Sequence, residues 1–474
     1  MIIMVNKLIL NLLVLYVEGL HFCHDIAAQV VEPSPNVVLI NVDDLGWKDL
    51  GYMGSSFYET PNIDKLSTES IVFYNAYAAA SNCAPARASL MTGQYTPKHG
   101  VFTVHPADRG DPKTRKLIPS ANNKFISDDS FTLGEMFRKN GYRTGTFGKW
   151  HISEDPSQHG FDVNIGGGPQ GNPGKNGYFS PYNISNIEDG EEGEYLTDRL
   201  TKEAVKFIED NRDAPFFLYL PYYTVHTPLM GKEDLVDKYK AKKGGKGQDN
   251  PKYAAMIHSL DENIGVLLNS LKALGLEENT IVVFTSDNGG IRAISSQDPL
   301  RAGKGSYYEG GIRVPMIIKR PNEIKAGSTS DSPIMQIDLF PTFQKIIKAQ
   351  VVAKELDGVD LIPVLFEGEM IDRDLFFHFP IYLQSYNSDL DQSRDPLFRT
   401  RPGSVLISGG WKLHQYFEDD GLELYDLNND VSEKINLKDV EPAKLEEMLK
   451  KLQELQFTYG APIPTEKNPE YLAN

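Results

Sequence analysis

The chain has 474 residues, of which 40% are hydrophobic and 24% charged. This composition is typical of a globular protein with a large core and room for a second, smaller domain. The net charge of −17 argues against nucleic acid or an anionic membrane surface as a partner, so an anionic substrate needs a local cluster of basic side chains.

The first 28 residues are predicted to be a signal peptide. Lys7 precedes an apolar run over residues 8–17 that is too short to span a bilayer, and Ile26-Ala27-Ala28 offers a small-residue cleavage site. No later segment is long and apolar enough for a membrane span. We therefore expect an exported protein, periplasmic or secreted.

Apolar strands alternate with helical patterns through the first two thirds of the chain. Residues 36–42 form a continuous apolar run, as expected for a strand buried on both faces, and similar runs occupy 216–220 and 281–285. Helical patterns lie between these strands, at residues 61–70, 131–140, 195–211 and 253–274. The alternation predicts an α/β fold with a large, mainly parallel sheet sandwiched by helices.

The pattern changes near residue 372. Short amphipathic strands are predicted at 375–379, 404–417 and 422–427, followed by a helix at 442–456. We therefore predict a catalytic domain over residues 33–370 and a small C-terminal subdomain of antiparallel sheet plus helix over 371–474. Loops are predicted at residues 166–177, which are rich in glycine, and at 240–246, which are rich in lysine.

Cys83 is the only cysteine outside the predicted signal peptide, so it has no internal disulfide partner. Pro85 suits the first turn of a helix, and Gly93 supplies a stop. Cys83 is therefore expected at a helix N-terminus, where free N–H groups attract anions, and Arg87 one turn later adds to that attraction.

The segment from Cys83 to Gly93, with Pro85 and Arg87, resembles the signature of type I sulfatases. Ala86 and Gln94 depart from the commonest form of that signature. The resemblance runs from residue 36 to about 436, and it implies an alkaline-phosphatase-like fold and hydrolysis of sulfate esters. It also implies that a maturation enzyme oxidises Cys83 to formylglycine, whose hydrate is the nucleophile.

Hard oxygen ligands follow two of the predicted strands. Asp43 and Asp44 come directly after the first strand, and Asp287 and Asn288 follow the strand at 281–285. Ligand sites in parallel sheets lie beyond these strand ends, and such oxygens suit Ca²⁺ or Mg²⁺. Each pair alone is more often turn or capping chemistry. The resemblance matches all four residues, together with the modified Cys83, to a Ca²⁺ site.

The resemblance also assigns roles to basic side chains. Arg87 orients formylglycine, and Lys149 holds a sulfate oxygen. His151 takes a proton when sulfate is released from the enzyme. Near the leaving oxygen, His226 contacts the sulfate, and Lys304 acts with it as proton donor.

The implied substrate is a sulfated oligosaccharide or polysaccharide, such as a fragment of ulvan or carrageenan, as in the bacterial polysaccharide sulfatases that the chain resembles. The loop at 166–177 and the lysines of 240–246 are candidates for the rim that binds it. Two alternatives stay open at this point. One is a formylglycine-dependent phosphonate monoester or phosphodiester hydrolase, and the other is a non-catalytic glycan-binding protein.

Overall fold

The computed structural model describes residues 34–107 and 109–472. The predicted signal peptide, residues 1–28, lies outside the described residues. From Pro35 onward the described chain forms one compact unit.

Sixteen strands are present in the described chain, and all three buried strands predicted for the large sheet are among them. Their bounds are β1 (Asn36–Val42), β2 (Ile71–Phe73), β3 (Ala76–Tyr77), β4 (Arg143–Phe147), β5 (Val163–Ile165), β6 (Phe216–Pro221), β7 (Thr280–Ser286), β8 (Met316–Lys319), β9 (Ser328–Ser330), β10 (Ile334–Met335), β11 (Leu375–Phe379), β12 (Leu383–Gln384), β13 (Phe398–Thr400), β14 (Gly403–Ser408), β15 (Trp411–Tyr416) and β16 (Leu422–Asp426).

Eight of these strands form the large sheet, in the order β5-β4-β6-β1-β7-β8-β2-β9. Within the described sheet, only β8 runs against the others. Strand β1 lies between β6 and β7 and is parallel to both. The β1–β7 register places Val42 opposite Ser286, so Asp43 and Asp287 leave the sheet at the same level. This confirms the predicted mainly parallel sheet.

The helices of the described chain include the four predicted between the strands, each within two residues of the predicted ends. Their bounds are α1 (Pro61–Thr68), α2 (Cys83–Thr92), α3 (Thr96–His99), α4 (Leu133–Lys139), α5 (Leu196–Asp210), α6 (Glu233–Ala241), α7 (Pro251–Ala273), α8 (Glu309–Ile312), α9 (Leu339–Ile346) and α10 (Pro442–Thr458). The predicted loop at 240–246 is wrong at its start, because Lys240 and Ala241 end α6.

Helices cover both faces of the sheet. Along β1, Val38 and Ile40 pack into a core with α1, α5 and α7, whereas Val37 and Leu39 pack into a second core with α2, α4 and α9. Successive side chains of a strand point to opposite faces, so a strand between two helical layers needs an apolar residue at every position. The apolar run of β1 is uninterrupted because both faces of the strand are buried between helices.

The C-terminal part is the predicted antiparallel sheet with one helix. Strands β11, β14, β15 and β16 form the sheet, and Met448 and Leu452 of α10 pack into its core. The single strand predicted at 404–417 is wrong, because Gly409 and Gly410 both adopt positive φ angles, of 55° and 79°, and turn β14 into β15. Two such residues suit the tight turn of a hairpin.

Within residues 34–107 and 109–472, no helix combines the length and apolar character that a membrane crossing requires.

Candidate active site

Cys83 lies at the N-terminus of α2, as predicted. Asn82 before it is extended, and Gly93 ends the helix with a φ of 67°. The thiol is buried, with the Cys83 Sγ 3.9 Å from the Asp44 Oδ1. The helix therefore aims residue 83 at the acidic side chains that follow β1.

Three carboxylates meet beyond the ends of β1 and β7. Asp43, Asp44 and Asp287 are buried, and one oxygen of each lies within 4.8 Å of the others. The backbone N–H of Asp44 donates to the Asp287 Oδ1 at 3.1 Å, and the Asn288 Nδ2 donates to the Asp44 Oδ1 at 2.8 Å. Asp44 has a φ of 61°, a strained conformation for a residue other than glycine, and such strain is concentrated at functional sites.

The donor set fits a hard divalent cation. Among the described residues, the Asp43 Oδ1 and the Asn288 Oδ1 are buried and have no hydrogen-bond partner. Buried oxygens without partners are rare because each costs free energy. A cation coordinated by these two oxygens and by Asp44 and Asp287 removes that cost, and oxygen ligands are those that Ca²⁺ prefers.

One basic side chain holds each carboxylate from the protein side. The Lys149 Nζ donates to the Asp43 Oδ2 at 2.7 Å, and the Lys304 Nζ donates to the Asp44 Oδ2 at 2.6 Å. The Arg87 Nε donates to the Asp287 Oδ2 at 2.8 Å. Three carboxylic and three basic side chains are thus paired in the same buried cluster.

Burial and pairing set the charge of these groups. Burial raises the pKa of Asp43 well above its ordinary value, although Lys149 opposes this. Burial also acts to raise the pKa of Asp44, but Lys304 and His226 outweigh it and the pKa is lowered. Burial acts to lower the pKa of Lys304, but Asp44 raises it well above the ordinary value. Lys304 is therefore protonated at neutral pH and has a proton to give.

The two histidines of the site, His151 and His226, are neutral bases. Burial and then Lys304 lower the pKa of His226, and its Nδ1 donates to the Thr227 carbonyl at 2.7 Å, which leaves Nε2 free to face Asp44 at 3.6 Å. Burial, Lys149 and Arg87 lower the pKa of His151 well below its ordinary value. The His151 Nδ1 is buried without a hydrogen-bond partner among the described residues, and its φ is 70°.

A cavity of about 270 Å³ opens above this cluster, and we call it the catalytic pocket. Four predicted residues line it: Cys83, His151, His226 and Lys304. Arg87 and Lys149 lie beneath it, bound to the carboxylates. Asn172, from the predicted loop at 166–177, also lines the pocket.

The lysines of 240–246 do not line the catalytic pocket, so they are not part of its rim, and whether they contact the substrate elsewhere is a separate question. The Lys242 Nζ is held by the Phe57 carbonyl at 2.9 Å and the Glu59 Oε1 at 2.8 Å. Lys243 and Lys246 line a different cavity. Charge alone identified these lysines as candidates, and it carries no information about which cavity they reach.

Sequence reasoning missed one wall of the pocket. Leu383, Tyr386 and Arg399, all from the C-terminal part, line it. Arg399 is buried, its Nη1 donates to the Lys304 carbonyl at 3.0 Å, and its guanidinium lies 3.5 Å from the centre of the Tyr386 ring. No periodic pattern marks residues 383–400, so the sequence offers no local signal for this approach.

The family profile described as "Sulfatase" matches residues 35–348. A second profile, "N-sulphoglucosamine sulphohydrolase, C-terminal", matches residues 303–458. Together the two matches span both the large sheet and the C-terminal sheet.

Individual proteins are similar over most of their length. A "Sulfatase" of Formosa agariphila is 34% identical over 481 residues, covering 85% of this chain and 84% of that protein. The N-acetylgalactosamine-6-sulfatase of Mus musculus is 32% identical and covers 77% and 72%. The crystal structure of Ps i-CgsB in complex with k-i-k-neocarrahexaose has a TM-score of 0.72 and 30% identity and covers 90% and 93%.

Proposed function

Because the chain belongs to the sulfatase family and is a sulfuric ester hydrolase, we propose that it removes sulfate from a sulfated carbohydrate, with formylglycine at position 83 as the nucleophile. One observation carries the proposal. The Cys83 Sγ faces Asp44 from a helix N-terminus, in a pocket that His151, His226 and Lys304 also line.

Oxidation of Cys83 by a maturation enzyme is part of the proposal. Hydrated formylglycine has two hydroxyls on one carbon. One hydroxyl bonds to sulfur, and loss of the proton from the other expels sulfate and re-forms the aldehyde. A serine has only one hydroxyl, so its sulfate ester cannot be released in this way.

We assign Ca²⁺ to the oxygens of Asp43, Asp44, Asp287 and Asn288, with residue 83 adjacent. A cation held there would supply positive charge to the sulfate oxygens and to the hydroxyl that bonds sulfur. Arg87 and Lys149 fix Asp287 and Asp43 in place, since each donates a hydrogen bond to one carboxylate oxygen, and the Asp43 Oδ1 keeps no hydrogen-bond partner in the described chain.

Proton transfers fall to the side chains above the metal. Lys304 is protonated and donates its proton to the alcohol oxygen as the sulfur–oxygen bond breaks. His226 contacts the same oxygen. His151 is neutral, and its unpartnered Nδ1 accepts the proton of the second hydroxyl as sulfate is released.

The substrate class rests on the relatives. The name N-acetylgalactosamine-6-sulfatase specifies a sulfated sugar as the substrate of that relative, and the Ps i-CgsB structure is a complex with a neocarrahexaose. We infer a sulfated oligosaccharide or polysaccharide, such as a fragment of carrageenan or ulvan. An exported location, periplasmic or secreted, follows from the signal peptide predicted at residues 1–28 and gives access to such polymers.

We also propose that the chain divides near residue 370. The catalytic domain, residues 33–370, carries all the assigned metal ligands and proton-transfer groups. The C-terminal subdomain, residues 371–474, adds one wall of the pocket through Tyr386 and Arg399.

The test uses mature protein in which peptide mass spectrometry shows formylglycine at position 83. It is incubated with sulfated oligosaccharides of carrageenan, ulvan and galactosaminoglycan, and released inorganic sulfate is measured, with Cys83→Ala as the background. Release from at least one of them supports the proposal. Hydrolysis of an aryl phosphate diester, with no sulfate released from any of the sugars, contradicts it.

A further inference from the structure

A second cavity, of about 1210 Å³, lies at the same edge of the large sheet, and we call it the basic cavity. It shares no lining residue with the catalytic pocket. Six basic side chains line it, in a chain whose net charge is −17: Lys48, Lys243, Lys246, Arg292, Arg301 and Lys434.

Most of this positive charge is not neutralised by the protein. The two acidic residues that line the cavity are already paired, Asp298 with Arg292 at 2.8 Å and Glu433 with Lys412 at 2.9 Å. Within the described part of the chain, none of the four lining lysines has a carboxylate within 4.0 Å; they are Lys48, Lys243, Lys246 and Lys434.

Two of the lysines repel each other. Burial, and then the charge of Lys246, lower the pKa of Lys48. The Lys48 Nζ donates to the Met53 carbonyl at 2.5 Å, which holds the ammonium group in place. An anion between the two ammonium groups relieves the repulsion and supplies the missing acceptors.

The basic cavity is close to the catalytic pocket. Arg301 lines the basic cavity and Lys304 lines the catalytic pocket, and three residues of chain place their α-carbons no more than about 11 Å apart. Both cavities also use loops that follow β1 and β7, since Lys48 comes five residues after Asp43 and Arg292 four residues after Asn288. A short oligosaccharide spans such a distance.

We propose that the basic cavity binds a second sulfate group of a polysulfated chain whose scissile ester lies in the catalytic pocket. This inference rests on the proposed function and extends it. It assigns the enzyme a preference for chains with several sulfates, because the local positive charge offsets the long-range repulsion between such a chain and an acidic protein.

The test compares the wild-type protein with the triple variant K243Q/K246Q/K434Q, whose side chains are exposed and outside the catalytic pocket. The probe is a carrageenan hexasaccharide with several sulfates, and binding is measured by titration calorimetry. We expect the Kd to rise about tenfold and to depend less steeply on salt. The kcat/KM for 4-nitrophenyl sulfate, which carries one sulfate, stays unchanged.

A matched control removes three charges elsewhere. K272Q/K354Q/K450Q changes exposed lysines that line neither cavity, and its Kd equals that of the wild type if position matters and not net charge. Equal Kd values for wild type and triple variant, equal weakening in the control, or no binding by the wild type overturns the inference. If the Kd of the wild type and of K243Q/K246Q/K434Q differ tenfold but the wild type releases no sulfate, the proposed function is contradicted and the second anion site is supported.

Discussion

Two buried clusters of charge in this molecule have the same balance and different bonding. The active-site cluster holds three acids and three bases: Asp43, Asp44, Asp287, Arg87, Lys149 and Lys304. The second, which we call the interface cluster, joins α8 to the C-terminal sheet and holds two acids and two bases: Glu309, Glu433, Arg313 and Lys412.

In the interface cluster every carboxylate oxygen has a partner. The Lys412 Nζ lies 2.9 Å from the Oε1 of both Glu309 and Glu433. Arg313 donates to the Glu309 Oε2 at 2.6 Å, and the backbone N–H of Glu309 donates to the Glu433 Oε2, also at 2.6 Å. Such a closed set of bonds has nothing left to offer a ligand.

In the active-site cluster and the adjacent Asn288, two buried acceptors, the Asp43 Oδ1 and the Asn288 Oδ1, and one buried donor, the Arg87 Nη2, lack hydrogen-bond partners within the described chain. Each costs free energy that folding alone does not recover. The comparison teaches that unpaired acceptors, and not buried charge as such, distinguish a binding site from a structural ion-pair network.

The largest expected effect is at the nucleophile. Cys83→Ala removes the group that becomes formylglycine, and sulfate release should fall by about 10⁴-fold or more, because no other group at the helix N-terminus can bond sulfur. The melting temperature should stay within a few degrees of the wild type. Substantial turnover by this variant, measured as released sulfate, contradicts the nucleophile assignment.

Metal removal tests the unpaired oxygens directly. Dialysis against a calcium chelator should lower turnover about a thousandfold, and Ca²⁺ should restore it, since three carboxylates then lose a shared cation. The melting temperature should fall as well, because Asp43, Asp44 and Asp287 repel one another. Elemental analysis accompanies the assay, and full turnover by metal-free protein rules out the metal site.

The interface cluster should respond in stability and not in chemistry. Lys412→Met leaves Glu309 and Glu433 buried without their shared cation, which should lower the free energy of unfolding by about 3–5 kcal/mol. Urea denaturation measures this, with Lys450→Met as the exposed control. Turnover per folded molecule should be unchanged, and a loss of less than about 1 kcal/mol shows that the pairing matters little.

A smaller effect is expected from pH. Burial raises the pKa of Glu433 to about 7; Lys412 acts to lower it and the charge of Glu309 to raise it. Because the pKa of Glu433 is higher in the folded protein than the ordinary value of 4.5, protonation of Glu433 stabilises the fold. This stabilisation is fully present below pH 4.5 and is lost as the pH rises through about 7.

Glu433→Gln removes this titration. Between pH 5 and pH 8 the wild type should therefore lose about 1–3 kcal/mol relative to the variant, as measured by urea unfolding at each pH. If the free energy of unfolding varies with pH in the same way in both proteins, Glu433 is not the group that titrates.

The sheet and the acidic site could be predicted because both depend on local signals. A strand buried on both faces is apolar at every position, and its carboxyl end is where Asp43 and Asp287 stand in the sequence. The hairpin over 403–416 was also within reach of the sequence, because Gly409-Gly410 is a local turn signal that the prediction of a single strand over 404–417 did not use. The approach of Arg399 to Lys304 joins residues far apart in the chain, and only tertiary packing brings it about.

The contact between Arg399 and the Lys304 carbonyl has a consequence for how this enzyme can change. Cys83 begins α2 and the proposed metal ligands follow strands of the large sheet, but part of the lining of the catalytic pocket is encoded about 300 residues after Cys83, in Leu383, Tyr386 and Arg399. Substitutions of Leu383 or Tyr386 are therefore expected to alter the choice of sugar, whereas a substitution of Arg399 also removes a hydrogen bond to the backbone of Lys304. A chain that ended at residue 370 would contain every proposed metal ligand and proton-transfer group but would lack one wall of the catalytic pocket.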